Sequence, residues 1–349
     1  MLDNRVVGDA HFDMPFMVGQ VNPTKGYIHV FDDTALDIVM RTLDTITDFT
    51  AYLTKKEQFL TGNIIVVAAG EEELLSAYLR TMNASGEHDF IIDGNYDRVV
   101  FDEGMWQAFR NRPERRAQIE SDRISYAWDD LIEKFAFHFM TGTQYYTSGR
   151  QVNEQEIMFR YLAREPRVRR RALAGSLHEV LERSIHSKRM LEARVMPPTG
   201  PGEPHYVFLF LRRKEGITDE QYRTVRMNLL AEYCAVTKLK FPKAVHIVGI
   251  ASEAGLPPQR SEDLIYLDAS NWGPKDEARA KGIQKQLGIL RKVTPGKVHM
   301  YEYPVDRDGK PRTATPSDNS PSRNSPCPCG SRKRFKRCHG RELFAKGHK

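Results

Sequence analysis

Three of the four cysteines in this 349-residue chain fall within Pro326 to Gly340, PCPCGSRKRFKRCHG, and a histidine directly follows the third. Cys327 and Cys329 straddle one proline, eight residues follow, and Cys338 and His339 are adjacent, giving C-x-C-x8-C-H. This spacing limits what the segment can become. A run far shorter than about 40 residues buries too little apolar surface to fold alone, so it needs a cross-link for any fixed shape. Three thiols and an imidazole are soft or borderline donors, the set that tetrahedral Zn²⁺ favours. Four protein donors leave no position for water or substrate, so one such zinc per chain would be structural and not catalytic. An unliganded tail and a disulfide are the alternatives. The disulfide suffers from the poor bridging geometry of such close pairs and from the remoteness of Cys234.

The run resembles the SEC-C motif, the small zinc-binding tail found at the C-terminus of the preprotein-translocation ATPase SecA and on many other bacterial proteins. Cys327, Cys329, Cys338 and His339 fall on its four ligand positions, Gly330 and Ser331 match its turn, and Phe335 matches its aromatic. Arg332 stands where the family most often has glycine, which leaves the ligands untouched. The resemblance implies zinc and partner binding through an accessory tail. It does not extend upstream, where no G-x-x-x-x-G-K-[ST] phosphate loop occurs.

The formal net charge of +6 is unevenly placed. From Pro321 onward nine Lys or Arg and one acid, Glu342, give +8, and the other 43 cations and 45 acids leave −2 for residues 1–320. A positive field confined to one end is drawn to an acidic protein or to nucleic acid, or it serves only to solubilise the terminus. No apolar run approaches the length of a membrane span, and the start, MLDNRVVGDAHFDMP, lacks the apolar core of a signal peptide. With its cysteines grouped as for a metal, the chain suits a reducing cytoplasm.

Composition divides the chain into five parts. Residues 1–152 alternate strand and helix signals and read as an α/β region. Tyr27–Phe31 and Ile64–Ala68 are strands. Leu36, Val39, Leu43, Ile46, Phe49 and Leu53 form one helical stripe that Thr34 and Asp37 would cap. Glu71–Met82 is a helix, short strands lie near Phe90 and Val99, and Trp128, Leu131, Phe135 and Phe139 share a helix face. Residues 153–196 read as a helical segment, two helices divided near Pro166, the second running from Arg167 to Arg194. After the break at Pro197–Pro204, residues 204–304 read β-α-β-β-α-β, the order of a split βαβ sandwich, with the last strand at Lys297–Tyr303. Residues 305–325 are too polar to pack and read as a flexible linker, and 326–340 hold the zinc motif. The fold class is therefore a mixed α/β body with a helical middle and a small zinc-binding tail.

Enzymatic chemistry would have to come from the body, and the common signatures are missing: no H-E-x-x-H, no G-x-S-x-G and no G-x-G-x-x-G after a strand. Gly70 lies between a strand and a helix, where backbone N–H groups cradle phosphates, but Glu71, Glu72 and Glu73 follow it and would repel an anion. A metal-dependent nuclease or phosphodiesterase is the alternative to a binding protein. Its acids would be Asp93, Asp102 and Glu103, or Asp219 with Gln221, although the one acid-x-Lys, Asp308 to Lys310, sits in the linker. His88–Asp89 offers an oriented base, and Glu262–Asp263 precedes an apolar strand. Cys234 reads as a small buried hydrophobe. Arg167, Arg169, Arg170 and Arg171, with Lys188 and Arg189, either clamp phosphate or form a solvated helix face. The reading is a cytoplasmic adaptor whose tail meets an acidic protein or nucleic acid.

Overall fold

The computed structural model describes residues 6–7, 16–19, 26–92, 94, 96–140, 152–255, 261–296, 300–305, 310 and 334. It is mixed α/β and divides into two compact units. The first takes the described parts of Met1–Arg123, Arg164–Arg169 and Met300–Lys349, and the second those of Ile124–Ala163 and Arg170–His299.

In the first unit, β1 (Val6–Val7) and β2 (Met17–Gly19) precede β3 (Tyr27–His29), which pairs with β2 antiparallel. The single helix expected across residues 36–53 is two, α1 (Asp33–Thr42) and α2 (Ile46–Leu60). Side-chain capping explains the break. Thr45 Oγ1 accepts from Asp48 N at 3.1 Å, which starts a new helix, and Asp32, not Thr34, caps α1 by accepting from Ala35 N at 2.6 Å. Leu36 and Ile46, expected in the core stripe, are exposed. Next come β4 (Ile65–Ala68), α3 (Glu71–Arg80), β5 (Arg98–Phe101), α4 (Met105–Arg110) and α5 (Pro113–Asp122). β4 lies between β1 and β5 and is parallel to both. Leu74 of α3 packs with Val66, Ala68 and Phe101 of this sheet, and the opposite side of α3 packs Leu75 and Leu79 with Val39, Tyr52 and Phe109. Phe90 is not in a strand; it stacks on Phe59 with ring centroids 4.5 Å apart.

The second unit begins with α6 (Tyr126–Met140) and α7 (Val152–Arg164), and most of α8 (Arg167–His186) belongs to it. Trp128 and Phe135 of α6 are buried as expected, whereas the side chain of Phe139 lies outside those described. The second expected helix stops at His186, and its last residues form a strand, β6 (Leu191–Met196). Pairing overrides local propensity there: β6 runs antiparallel along β7 (His205–Leu211) from Leu191↔Leu211 to Met196↔Tyr206.

After β7 come α9 (Asp219–Lys240), β8 (His246–Glu253), β9 (Glu262–Asp268) and α10 (Pro274–Leu287). The sheet order is β6-β7-β8-β9, with β7 and β8 parallel neighbours. A split βαβ unit needs a third strand between that parallel pair, so the topology differs from the expected one. The edge place beside β7 is taken by β6 instead of a C-terminal strand. Residues 300–303 are not strand, and Lys297–His299 lie outside the described residues.

Every residue of β7 is buried, because helices cover both faces of the sheet. Val207, Leu209 and Leu211 meet Tyr222, Leu230 and Cys234 of α9, while Tyr206 and Phe208 meet Trp128, Leu162 and Leu173. α9 lies close to β8: a Cβ on Gly249 would stand 2.9 Å from Cys234 Sγ and from Leu230. Cys234 is thus a buried small side chain, as its sequence setting suggested.

Candidate functional site

Two of the three acids that follow Gly70, Glu71 and Glu73, are part of the interior. Glu71 is buried and accepts from Tyr52 Oη and from Lys56 Nζ, both at 2.6 Å. Lys56 is wholly buried and stands 4.8 Å over the Phe31 ring. Burial pushes the Glu71 carboxyl up and the Lys56 ammonium down, and each partner's charge opposes the other's shift. Glu73 accepts from Gly104 N at 3.0 Å and Trp106 N at 2.6 Å, fixing the start of α4. At the turn itself the Glu72 carboxylate folds back, its Oε2 2.7 Å from where a Cβ on Gly70 would stand, so negative charge lies where a phosphate would be needed.

The acids considered for a nuclease stand apart. Asp102 and Glu103 are exposed in the turn before α4, and Asp93 lies outside the described residues. Asp219 pairs with Arg213 at 2.6 Å, while Gln221 closes a capping box with Thr218 at the start of α9. Glu262 pairs with Lys134, and Asp263 with Arg226 at 2.5 Å, both side chains of the latter pair being completely buried. Among the described residues no three His, Cys, Asp or Glu side chains are grouped so as to hold a metal.

Three of the clustered arginines are neither a phosphate clamp nor a solvated face, while Arg171 is half-buried. Arg167, Arg169 and Arg170 are all buried. Arg167 Nε donates to Asp44 Oδ1 at 2.8 Å, and Asp48 Oδ2 accepts from Arg167 N at 2.8 Å. Arg169 lies 3.8 Å from Glu165. Arg170 donates to Asp129 Oδ1 and Ala163 O, both at 2.6 Å. The nearby acids turn these cations inward, an effect a helix-face argument confined to α8 misses. Lys188 and Arg189 are exposed.

His88 and Asp89 do not work as a pair. Asp89 Oδ2 accepts from Lys55 Nζ at 2.7 Å, whereas His88 turns toward Tyr78, Tyr303 and Glu302. His88 Nε2 is 3.5 Å from Glu302 Oε1, and neither buried ring nitrogen is hydrogen-bonded.

Beside this histidine, α3, α5 and residues 300–305 enclose a cavity of about 460 Å³ in the first unit. Arg80 ends α3, and Pro113 at the first turn of α5 sets the direction from which Arg115 enters the wall. A bridge between Met82 and His88 closes the intervening loop, where Gly86 adopts a φ of +79°. Asn83 Oδ1 accepts from Ser85 N and Glu87 N within that loop. Tyr303 Oη donates to Leu79 O at 2.6 Å, and Glu302 accepts from Gln118, which anchors the returning segment. Burial pushes the Tyr303 hydroxyl up to about 12, so it remains a donor at neutral pH. Arg80, Arg112 and Arg115 line the cavity with Glu114 and Glu302. None of these five was singled out in the sequence, although RNRPERR, Arg110 to Arg116, is a visible basic run.

The tail donors Cys327, Cys329, Cys338 and His339 lie outside the described residues, as do the linker residues apart from Val305 and Lys310. Among the described residues no helix is long and apolar enough to cross a membrane.

Comparison with known proteins identifies the tail. Residues 323–341 match the SEC-C motif, a zinc-binding type of motif. Two relatives, the protein translocase subunits SecA of Porphyromonas gingivalis strains W83 and ATCC 33277, are each 58% identical to this chain over 33 residues. The match covers 10% of this chain and 3% of either relative. No solved structure matches the chain.

Proposed function

We propose that this chain is a cytoplasmic adaptor whose α/β body carries a zinc-fixed SEC-C tail that docks on an acidic protein surface. The observation that carries this reading is the motif match over residues 323–341 together with its complete donor set. Cys327, Cys329, Cys338 and His339 would hold one zinc, and their chemistry fits it: three thiolates and an imidazole complete a tetrahedral shell. When bound, the metal supplies a cross-link that a loop of this length cannot obtain from apolar burial. Phe335 would pack against that loop. Arg332, Lys333, Arg334, Lys336 and Arg337 would then be held on a fixed surface instead of a fluctuating one.

The name of the matched relatives, protein translocase subunit, favours a protein partner over nucleic acid. The body is nearly neutral and cannot supply the same field, so the first contact is assigned to the tail. Elemental analysis of the purified full-length chain should find one zinc, and Cys327→Ser with Cys338→Ser should reduce it to background. Replacing the five cations by Gln while keeping the donors should weaken capture of an acidic protein and flatten its salt dependence. Equal binding by both forms at low salt refutes the tail's role, and stronger binding to RNA or DNA than to any acidic protein overturns the choice of partner.

A further inference from the structure

We propose that the cavity between α3, α5 and residues 300–305 binds a phosphorylated small molecule with an aromatic body, of the nucleoside monophosphate class. This site is independent of the zinc tail. A volume of about 460 Å³ lies in the range of small-molecule clefts, about 300–1,000 Å³.

The charge points to an anion. Arg80 and Arg112 are exposed at the cavity, while Arg115 is 9% exposed and stacks toward Phe109, its guanidinium 5.6 Å from the ring centroid. One Arg115 terminal nitrogen donates to Gln118 Oε1, but its buried Nε has no hydrogen-bond partner. A buried charged donor left unmatched is costly, and an anionic oxygen is its natural complement. Three guanidiniums face two carboxylates, and Glu302 is already engaged by Gln118. A phosphate monoester carries about −1.5 to −2 at neutral pH, a closer match to several guanidiniums than one carboxylate. Planar guanidinium forks also suit phosphate oxygens geometrically.

The rest of the wall suits a flat apolar body. Phe109, Tyr301, Tyr303, Met82 and Met300 line the cavity, and three of them are unusually open: Tyr301 is 50%, Met82 42% and Met300 39% exposed. A ring seated among them would cover apolar surface now in water. Glu114 is left at the cavity as an acceptor for sugar hydroxyls.

Calorimetric titration of the full-length protein with AMP, GMP, CMP and UMP tests this, with inorganic phosphate, adenosine and benzoate as comparison probes. At least one nucleotide should bind in the micromolar range, with phosphate, nucleoside and benzoate each at least tenfold weaker. Arg80→Gln and Arg112→Gln alter exposed side chains and should leave the melting temperature of the free protein unchanged. Each should weaken nucleotide binding at least tenfold, and Tyr301→Ala severalfold. Arg123→Gln, whose side chain pairs with Glu120 and does not line the cavity, should change nothing. Absence of nucleotide binding at millimolar concentration overturns the proposal. So does full binding by the Arg80→Gln/Arg112→Gln double variant, or binding of phosphate alone or of benzoate as tightly as any nucleotide.

Discussion

Replacing Asp263 by Asn tests whether the second unit depends on a fully desolvated charge pair. Arg226 Nε donates to Asp263 Oδ2 at 2.5 Å, and Arg223 approaches Oδ1 at 3.3 Å. Ser261 supplies its carbonyl and hydroxyl oxygens to the remaining Arg226 nitrogens at 2.9 and 3.0 Å. Burial alone would lower the Arg226 pKa, but the hydrogen bond and charge of Asp263 reverse this and hold it above the ordinary value. At an effective dielectric constant of about 20 the two attractions are about 7 and 5 kcal/mol. Removing the ions from water costs several kcal/mol each, so the intact cluster contributes little net stability. Breaking it is different. Asn keeps the shape of Asp and removes the charge, leaving a wholly buried guanidinium with neutral partners, at a cost of about 3–5 kcal/mol. For a unit of this size that lowers the thermal midpoint by roughly 10 °C. Urea unfolding of Asp263→Asn, Arg226→Met/Asp263→Leu and the parent chain decides the matter. The apolar double variant should recover most of the loss, since it buries no orphan charge. A loss below about 1 kcal/mol for Asp263→Asn refutes the argument, because it would mean that water or a rearranged Arg226 satisfies the charge.

Gly249→Ala should destabilise the second unit by about 1–3 kcal/mol in urea unfolding, because the added methyl meets Cys234 and Leu230 at 2.9 Å on a helix that packs directly on the sheet. Acid should weaken the first unit through His29, whose pKa burial lowers below 6.5 despite the hydrogen bond to Glu57. A histidine held neutral stabilises the fold above its unfolded pKa and loses that contribution as pH falls through the folded value. Urea midpoints of the first unit taken from about pH 7 to about pH 5 should therefore fall less in His29→Gln than in the parent. Removing residues 311–349 should leave both units' thermal midpoints within about 2 °C. Ending the chain at His299 should lower that of the first unit by more, since Tyr303 and Glu302 then no longer reach Leu79 and Gln118.

What was legible in the sequence was what local pattern dictates. HYVFLFL announces a strand buried on both faces, and Trp128 and Phe135 lie in the core as their spacing requires. The errors share one cause, which is that distant partners decide the outcome. LEARVM carries only two charges, Glu192 and Arg194, and its Leu, Glu, Ala, Arg and Met favour a helix, yet it becomes an edge strand because β7 offers it a ladder. In the stripe from Leu36 to Leu53, apolar spacing continues straight through Thr45, whose side-chain cap starts a second helix. The cavity arginines were hidden differently. RNRPERR is plain enough, but Arg80 and Glu302 come from positions more than 200 residues apart, and only folding brings them to one place.

The same folding separates the chain's cations into two kinds. Arg167, Arg170 and Arg226 are committed to Asp44, Asp129 and Asp263, so they project little field into solvent. Arg80 and Arg112 stay exposed around one small volume, whereas the five cations between Arg332 and Arg337 are packed along a few residues of chain. Salt should therefore distinguish the two proposed contacts. A single phosphate held by two or three guanidiniums involves few displaced ions, so nucleotide affinity should decline gently as salt rises. A tail meeting a surface of many carboxylates engages several charges at once, at distances that a Debye length of about 8 Å at physiological ionic strength begins to screen. Its binding should decline steeply, and mainly through the association rate, since steering is lost before contact is made.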